Sequence, residues 1–182
     1  MLQYSSLPAA NIQLMAEYNQ WMNNNVYEAA ATLAPSVLAE DRGAFFGSII
    51  GTLNHILVGD TFWLKRFASH PLAFTSLDPV RQLDIPANLK TILYDDFNAL
   101  HRARMAMDDV ISDFSLEVPD EALSSLLSYS NTKGEHASKH FGYLIQHFFN
   151  HQTHHRGQIS TLLYQAGVDI GVTDLLMSIP NE

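Results

Sequence analysis

Hydrophobic residues recur with the period of an α-helix, about 3.6 residues, in four long segments of the chain. These helical segments are predicted at Ala9–Leu33, Ala44–Ala68, Ala87–Phe114 and Ala137–Ala166. Proline and glycine support three of the boundaries, since Pro71 lies beyond the second segment, Pro86 precedes the third and Gly167 follows the fourth. The pattern therefore predicts an all-α protein built on four long helices.

Two connections between these segments are too long for simple helical hairpins. One runs from Ser69 to Ile85, and the other separates the third segment from the fourth. Four long helices with long connections are typical of a four-helix bundle with crossover connections. Within the last connection we expect a short β-hairpin, with strands around Ser115–Val118 and Leu126–Ser130.

Composition indicates an ordinary globular protein that does not bind nucleic acid. Of 182 residues, 47% are hydrophobic and 16% charged, so residues 1–182 are expected to form one domain. The formal net charge is −9, and the absence of a basic cluster argues against contact with phosphate backbones. We expect neither a signal peptide nor a membrane-spanning segment, which predicts a cytoplasmic location.

The absence of cysteine restricts any metal site to histidine, aspartate, glutamate and water. The chain has nine histidines, so these are the natural candidates. Four of them lie within the sequence HFFNHQTHHRGQ of the fourth segment, at His147, His151, His154 and His155.

Two of these four histidines interrupt the apolar stripe of their helix. The stripe runs through Leu144, Phe148, Ile159, Leu162 and Ala166. Its period places His151 and His155 where leucines are expected, one turn apart, with about 5–6 Å between their Cβ atoms. Such a pair can bind one transition-metal ion, although this spacing also arises by chance. His147 and His154 fall on the flank and are expected near the surface.

A third ligand would have to come from another segment, and the residue pattern alone leaves its identity open. His55 lies in the middle of the second segment, which is apolar nearly all round and is therefore expected to be buried. It shares a face with Ser48, Thr52 and Gly59, small residues that leave room beside an imidazole. A core histidine bonded to a backbone carbonyl would suit the same position.

The other histidines are weaker candidates. His70 precedes Pro71 and is expected at a helix end, whereas His101 lies beside two arginines, which indicates a solvated face. His136 and His140 begin the fourth segment, two or more turns from His151.

Three stretches of the sequence carry a resemblance to a known family: YNQWMNNNVYEAAATL in the first helix, FGSIIGTLNHILVGDTFWLKRF in the second and FNHQTHHRGQISTLL in the fourth. Through them, nearly the whole chain resembles the DinB/YfiT-like superfamily of metalloenzymes. The resemblance implies a four-helix bundle with a metal site on His55, His151 and His155. It also implies a homodimer.

An open site with three protein ligands is typical of catalytic metal centres. We expect one divalent transition metal, with Zn, Ni and Fe as the leading candidates. Two reactions remain open: hydrolysis of an amide or ester, and thiol-dependent S-transfer, which the resemblance implies. The alternative is a non-catalytic, stress-related dimeric bundle that binds a metal or another ligand.

The residue pattern identifies no catalytic residue. Hydrolysis needs a general base, and none of Asp60, Gln158 and His154 is compelling. Asp60 is expected to point away from His55 and to pair with Arg66 or Arg156.

Several residues near the histidines are expected to have structural roles. Gly157 is expected to permit close helix packing, Arg156 to form a structural pair, and Trp21 and Trp63 to belong to the core. Asn54 and Asn150 each precede a candidate ligand and are expected to orient the contacts around it.

Overall fold

Residues 9–181 are described in the computed structural model, and they contain the four long helices that the hydrophobic period predicts. In chain order the helices are α1 (Ala9–Ala30), α2 (Pro35–Ala39), α3 (Ile49–Phe67), α4 (Asp78–Gln82), α5 (Phe97–Glu117), α6 (Asp120–Leu123) and α7 (Phe141–Gln165). Two strands, β1 (Leu126–Ser130) and β2 (His136–His140), precede α7. Short 3₁₀ helices cover Thr75–Leu77 and Leu175–Ser178.

The long helices α1, α3, α5 and α7 form a bundle in which α1 lies diagonally opposite α3, and α5 lies diagonally opposite α7. Helix α1 packs against α5 and α7, and α3 packs against the same two helices. The chain must therefore cross the bundle between α1 and α3 and again between α5 and α7. The prediction of an all-α four-helix bundle with crossover connections is confirmed.

Capping side chains explain why two long helices begin later than predicted. Ser48 accepts a hydrogen bond from the Gly51 N–H at 3.0 Å, so α3 begins at Ile49 and not at Ala44. The Asp96 carboxylate accepts from the Ala99 N–H at 2.8 Å, so α5 begins ten residues after the predicted start at Ala87. Residues 87–96 form a loop, which has a role at the candidate site.

The predicted hairpin is present, but one of its strands was assigned wrongly. Leu126–Ser130 pairs antiparallel with His136–His140, around a turn in which Gly134 adopts a φ of 81°. The segment Ser115–Val118 instead completes and caps α5, because Phe114, Ser115 and Val118 are buried against the core. Helix α7 consequently begins at Phe141, after the second strand.

One part of the core is an aromatic cluster, which we define as Phe67, Phe74, Phe114, Phe141 and Phe148. All five rings are buried. Neighbouring ring centres lie 5.3 to 6.3 Å apart, as in the pairs Phe67–Phe141 and Phe114–Phe141. His70, expected at a helix end, is indeed there, but it is buried and stacks on Phe141 at 4.5 Å.

A second part of the core is a buried polar network, which joins all four long helices. Its members are Asn19, Asn23, Asp60, Arg104, Asp108, Gln152 and Arg156. Asp60 pairs with Arg104 and accepts a hydrogen bond from Gln152 Nε2 at 2.8 Å. Arg104 also lies 2.9 Å from the Asp108 carboxylate, and Arg156 donates to Asn19. These contacts link α1, α3, α5 and α7 at one level of the bundle.

The polar network corrects two expectations about charged residues. Asp60 does form an ion pair between helices, but its partner is Arg104, not Arg66 or Arg156. Arg104 is one of the two arginines that indicated a solvated face around His101, yet it is fully buried. His101 itself is half-buried and stacks on Tyr27 at 4.9 Å.

A candidate metal centre

Three histidines from two helices meet beside the polar network. His55 comes from α3, whereas His151 and His155 come from α7, and one ring nitrogen of each lies within 4.8 Å of the others. The Nε2 atoms of His55 and His155 are 3.1 Å apart. His55 and His155 are buried, and His151 is partly buried. The structure thus brings together all three predicted ligands.

The hydrogen bonds on the far sides of the rings determine which nitrogen faces the centre. His55 Nδ1 lies 2.8 Å from the carbonyl oxygen of Leu89, which can only accept, so this nitrogen carries the proton. His155 Nδ1 lies 2.8 Å from Gln158 Oε1 and is a donor for the same reason. Both Nε2 atoms therefore direct lone pairs toward each other.

Two lone pairs facing each other at 3.1 Å repel, and a cation bound by both would remove the repulsion. Zinc binds imidazole nitrogen at about 2.0–2.1 Å, which in tetrahedral geometry separates two ligand nitrogens by about 3.3 Å. The spacing of His55 and His155 thus fits two ligands of one ion. Each ring already has the outer hydrogen bond that metal-binding histidines usually make.

Electrostatics keep these imidazoles neutral, the form that binds metals. Burial lowers the pKa of His151 to about 3, with further lowering from the charges that His155 and His55 would carry. Burial also lowers the pKa of His155 to about 4, against the opposing effect of the hydrogen bond that His155 donates to Gln158. The pKa of His55 is lowered mainly by burial. At neutral pH all three lone pairs are available.

Close packing positions the rings. A Cβ atom added at Gly59 would lie 2.7 Å from His151 Cε1, so glycine at this position lets α7 approach α3. Phe46 stacks on His55 with 3.7 Å between ring centres and meets the edge of His155 at 5.6 Å. The role expected of Gly157 was assigned wrongly, because nothing lies within 4 Å of a Cβ at that residue.

Sequence patterns did not reveal two contributors to the site. Phe46 was placed inside the second predicted helix but lies before α3, and Leu89 contributes only a backbone carbonyl. Asn54 offers a partial signal, as a buried amide beside a candidate ligand. Its Oδ1 accepts from the N–H groups of Leu93 and Tyr94 at 2.8 and 3.0 Å, which fixes the loop that carries Leu89.

The three residues considered as general bases are either bonded to other side chains or exposed to solvent. Asp60 is tied to Arg104 and Gln152, and Gln158 is bonded to His155. His154 is exposed, as expected, and lies 3.3 Å from Gln158 Nε2. No carboxylate within residues 9–181 joins the three-histidine group.

The remaining candidates also lie outside the centre. His147 is exposed and packs against Trp63, which is itself partly buried against the core, with 5.0 Å between ring centres. His136 and His140 lie in the exposed strand β2. Asn150, which was expected to orient the contacts around His151, is exposed and lines a groove between α1 and α7. Arg156 is a structural residue, bonded to Asn19.

A helical bundle that holds three neutral histidines within reach of one another belongs to the class of proteins able to bind a metal ion. The family model described as the DinB family matches residues 4–181, and the chain belongs to this family. It is similar to the protein named Protein DinB of Bacillus subtilis (strain 168), with 26% identity over 160 residues and 87% of each chain covered. The resemblance seen in the sequence is confirmed.

A comparison with solved structures gives no match. Within the described part of the chain, none of the helices has the length and apolar character needed to span a bilayer.

Proposed function

We propose that this chain binds one divalent transition-metal ion through His55, His151 and His155 and acts on a small molecule held beside it. The observation that carries the proposal is the pair of neutral rings whose Nε2 lone pairs face each other 3.1 Å apart. A core histidine with only a structural role would direct one nitrogen to a donor instead. The bound ion would supply Lewis acidity and lower the pKa of a coordinated water or thiol.

The protein's own residues would orient the ligands and exclude water. Leu89 and Gln158 hold the protons of His55 and His155 on the far side of each ring. Phe46 covers the His55 ring. Three protein ligands leave at least one coordination position for substrate, which is the catalytic pattern. Zn, Ni and Fe all suit three nitrogen ligands.

Of the two reactions, we favour thiol-dependent S-transfer over hydrolysis. Hydrolysis requires a general base beside the ion, and the only carboxylate weighed for that role, Asp60, is buried against Arg104. A thiol that binds a metal loses its proton through coordination, so no separate base is needed. A non-catalytic metal-binding role would use the same three ligands and differs in showing no turnover.

Three further proposals concern the whole chain. A single domain over residues 1–182 is supported by the continuous hydrophobic core that all four long helices share. A homodimer, which the family resemblance implies, and a cytoplasmic location remain predictions. Light scattering on the purified protein tests the homodimer, and cell fractionation tests the location.

Metal analysis of protein purified without a nickel column tests the ligand set. We expect about one ion per chain in the wild type and almost none in His151→Ala. The matched control is His154→Ala, which removes an exposed histidine of the same helix and should retain the metal. A wild type that takes up no metal, or a His151→Ala variant that keeps it, would contradict the proposal.

Incubation of the metal-loaded protein with small thiols and an electrophile tests the reaction. Thioether formation that disappears in His151→Ala is the expected result. Turnover of amide or ester substrates instead would replace S-transfer by hydrolysis, and no turnover with either would favour the non-catalytic role.

A further inference from the structure

One face of α3 continues from the histidine centre toward the hairpin. His55, Gly59, Phe62 and Arg66 follow one another at three- or four-residue spacing and so share that face. A cleft of about 580 Å³ lies alongside it. The cleft is lined by Phe62, by residues 85–90 and by Thr132 of the hairpin turn. Its lining thus includes Leu89, whose carbonyl accepts from His55, and Phe62, whose ring centre lies 5.9 Å from the guanidinium carbon of Arg66.

Aromatic rings surround the Arg66 guanidinium. Its central carbon lies 4.6 Å from the ring centre of Trp63, 5.1 Å from that of Tyr129 and 5.9 Å from that of Phe62. Rings of this kind stabilise a cation over their faces but accept none of its in-plane N–H bonds. Tyr129 belongs to β1, so the hairpin supplies one of the three rings around Arg66.

Arg66 has no anionic partner among residues 9–181, although the protein has 19 acidic residues against 10 basic ones. The side chain is half-buried, and burial lowers its pKa, with Tyr129 opposing the shift. Arg104, buried in the polar network, has two carboxylate partners by contrast. A half-buried guanidinium with its donors unmatched is suited to bind an external anion.

The guanidinium lies close enough to the histidine centre for one small molecule to reach both. The Trp63 ring is 5.0 Å from that of His147, which in turn is 6.3 Å from that of His151. Gly59 lies against His151, and the rise of α3 places Trp63 about 6 Å and Arg66 about 10 Å beyond Gly59 along the axis. The two binding points are therefore separated by roughly one to two helical turns.

We propose that Arg66, backed by Trp63 and Tyr129, binds the carboxylate of the substrate whose other end meets the three-histidine centre. The chemical class is a small acid with a carboxylate roughly 5 Å from its metal-binding atom, because a separation of up to two helical turns also includes the bond to the metal and the hydrogen bond to Arg66. Arginine favours this ligand because its planar fork matches the two oxygens of a carboxylate. The inference rests on the proposed function for the reacting end, whereas anion binding at Arg66 needs no metal.

Titration with butyrate tests the anion site separately from the metal. In a Trp21→Phe background, the remaining Trp63 indole resonance should shift saturably with butyrate and not with butanol, with or without zinc. Arg66→Met keeps much of the stem that packs on Trp63 and should abolish the shift, whereas Arg66→Lys should retain part of it. The matched control Arg102→Met removes an exposed arginine of α5 and should change nothing.

The absence of a saturable shift in the wild type, or its persistence in Arg66→Met, would overturn the anion site. Thermal unfolding of each variant verifies that the hairpin and the bundle are intact. These outcomes do not depend on whether the histidines bind a metal.

A second measurement joins the two sites. In cobalt-loaded protein, mercaptobutyrate should bind at least about tenfold more tightly than mercaptobutanol, as read from the thiolate-to-cobalt absorption. Arg66→Met should remove this difference and leave mercaptobutanol binding unchanged. Equal binding of both thiols to the wild type would overturn the inference. If cobalt binds and neither thiol changes its spectrum while butyrate still binds, the thiol reaction fails and the carboxylate site stands.

Discussion

The aromatic cluster and the buried polar network stabilise the same four-helix bundle by different physical means. On α3 they are centred on Phe67 and Asp60, which lie roughly two helical turns apart. The aromatic cluster removes apolar area from water, an effect without direction that tolerates changes of shape. The polar network depends on aligned donors and acceptors and is stabilising only while each charge has its partner.

The histidine centre adjoins the directional network. His151 and His155 immediately precede Gln152 and Arg156, and His55 lies five residues before Asp60. Because Asp60 binds Gln152, α3 and α7 are held in the register that brings His55 opposite the two histidines. A change in the network should therefore affect metal affinity, whereas an equal loss of stability in the aromatic cluster should not.

The largest effect is expected from Asp60→Ala, which leaves the fully buried Arg104 without one of its carboxylates. Removing one partner of a buried ion pair costs about 3–5 kcal/mol. Zinc affinity should also fall, by about tenfold, as the link to Gln152 is lost. Urea unfolding and competition with a zinc indicator measure the two effects. Asp113→Ala, an exposed acid of α5, is the control, and a loss of stability without weaker zinc binding would refute the coupling.

Gly59→Ala should separate metal affinity from stability. The added methyl group meets His151 Cε1 at 2.7 Å, so the ring must move and zinc affinity should fall by about 10-fold or more. Gly157→Ala places the same methyl group on α7 where nothing lies within 4 Å, and it should stabilise the helix by up to about 1 kcal/mol. Isothermal titration with zinc measures the affinity of both variants, and thermal unfolding measures their stability. Unchanged zinc affinity in Gly59→Ala would contradict the packing argument.

Phe114→Leu tests whether the aromatic cluster contributes to stability without affecting the metal site. It reduces one ring of the aromatic cluster and should destabilise the protein by about 1–1.5 kcal/mol, because the neighbouring rings can partly fill the space. Zinc affinity should stay within about twofold of wild type, since the rings that pack on Phe114 belong to the aromatic cluster and not to the polar network. Leu116→Ala, on the exposed face of α5, controls for helix effects. A fall in zinc affinity matching that of Asp60→Ala would remove the distinction between the two regions.

The smallest effect is expected at the edge of the aromatic cluster. Glu117 accepts hydrogen bonds from Thr75 and Ser76, which hold the turn that follows Phe74. Burial alone would raise the pKa of Glu117, but these hydrogen bonds lower it from 4.5 to about 2. Because the pKa of Glu117 is lower in the folded state, its carboxylate contributes fully to the free energy of unfolding above about pH 4.5. This contribution is lost as the pH falls toward 2.

Glu117→Gln should therefore cost about 1 kcal/mol at neutral pH, a value typical of a lost cap. The difference from wild type should shrink progressively between pH 4.5 and 2. Unfolding measured across this range checks the prediction, with Glu121→Gln, an exposed residue of α6, as the control. A difference that stays constant with pH would exclude a role for the carboxylate charge.

Much of the fold follows from periodicity, because a helical stripe is a property of one segment. The long helices were predicted within a few residues, except where a polar side chain caps the backbone, as Asp96 does at α5. One strand of the hairpin, Leu126–Ser130, was predicted correctly. Its partner was predicted at Ser115–Val118, but that segment packs on the core at the end of α5.

At the candidate site, sequence determined that His151 and His155 share a helix face, since residues four apart always do. Only the tertiary structure decided that His55 lies opposite them, that Asp60 pairs with Arg104 and that Leu89 orients an imidazole. These contacts join residues far apart in the chain and depend on the register and spacing between helices. No single segment encodes that register, because it arises from the packing of all four helices together.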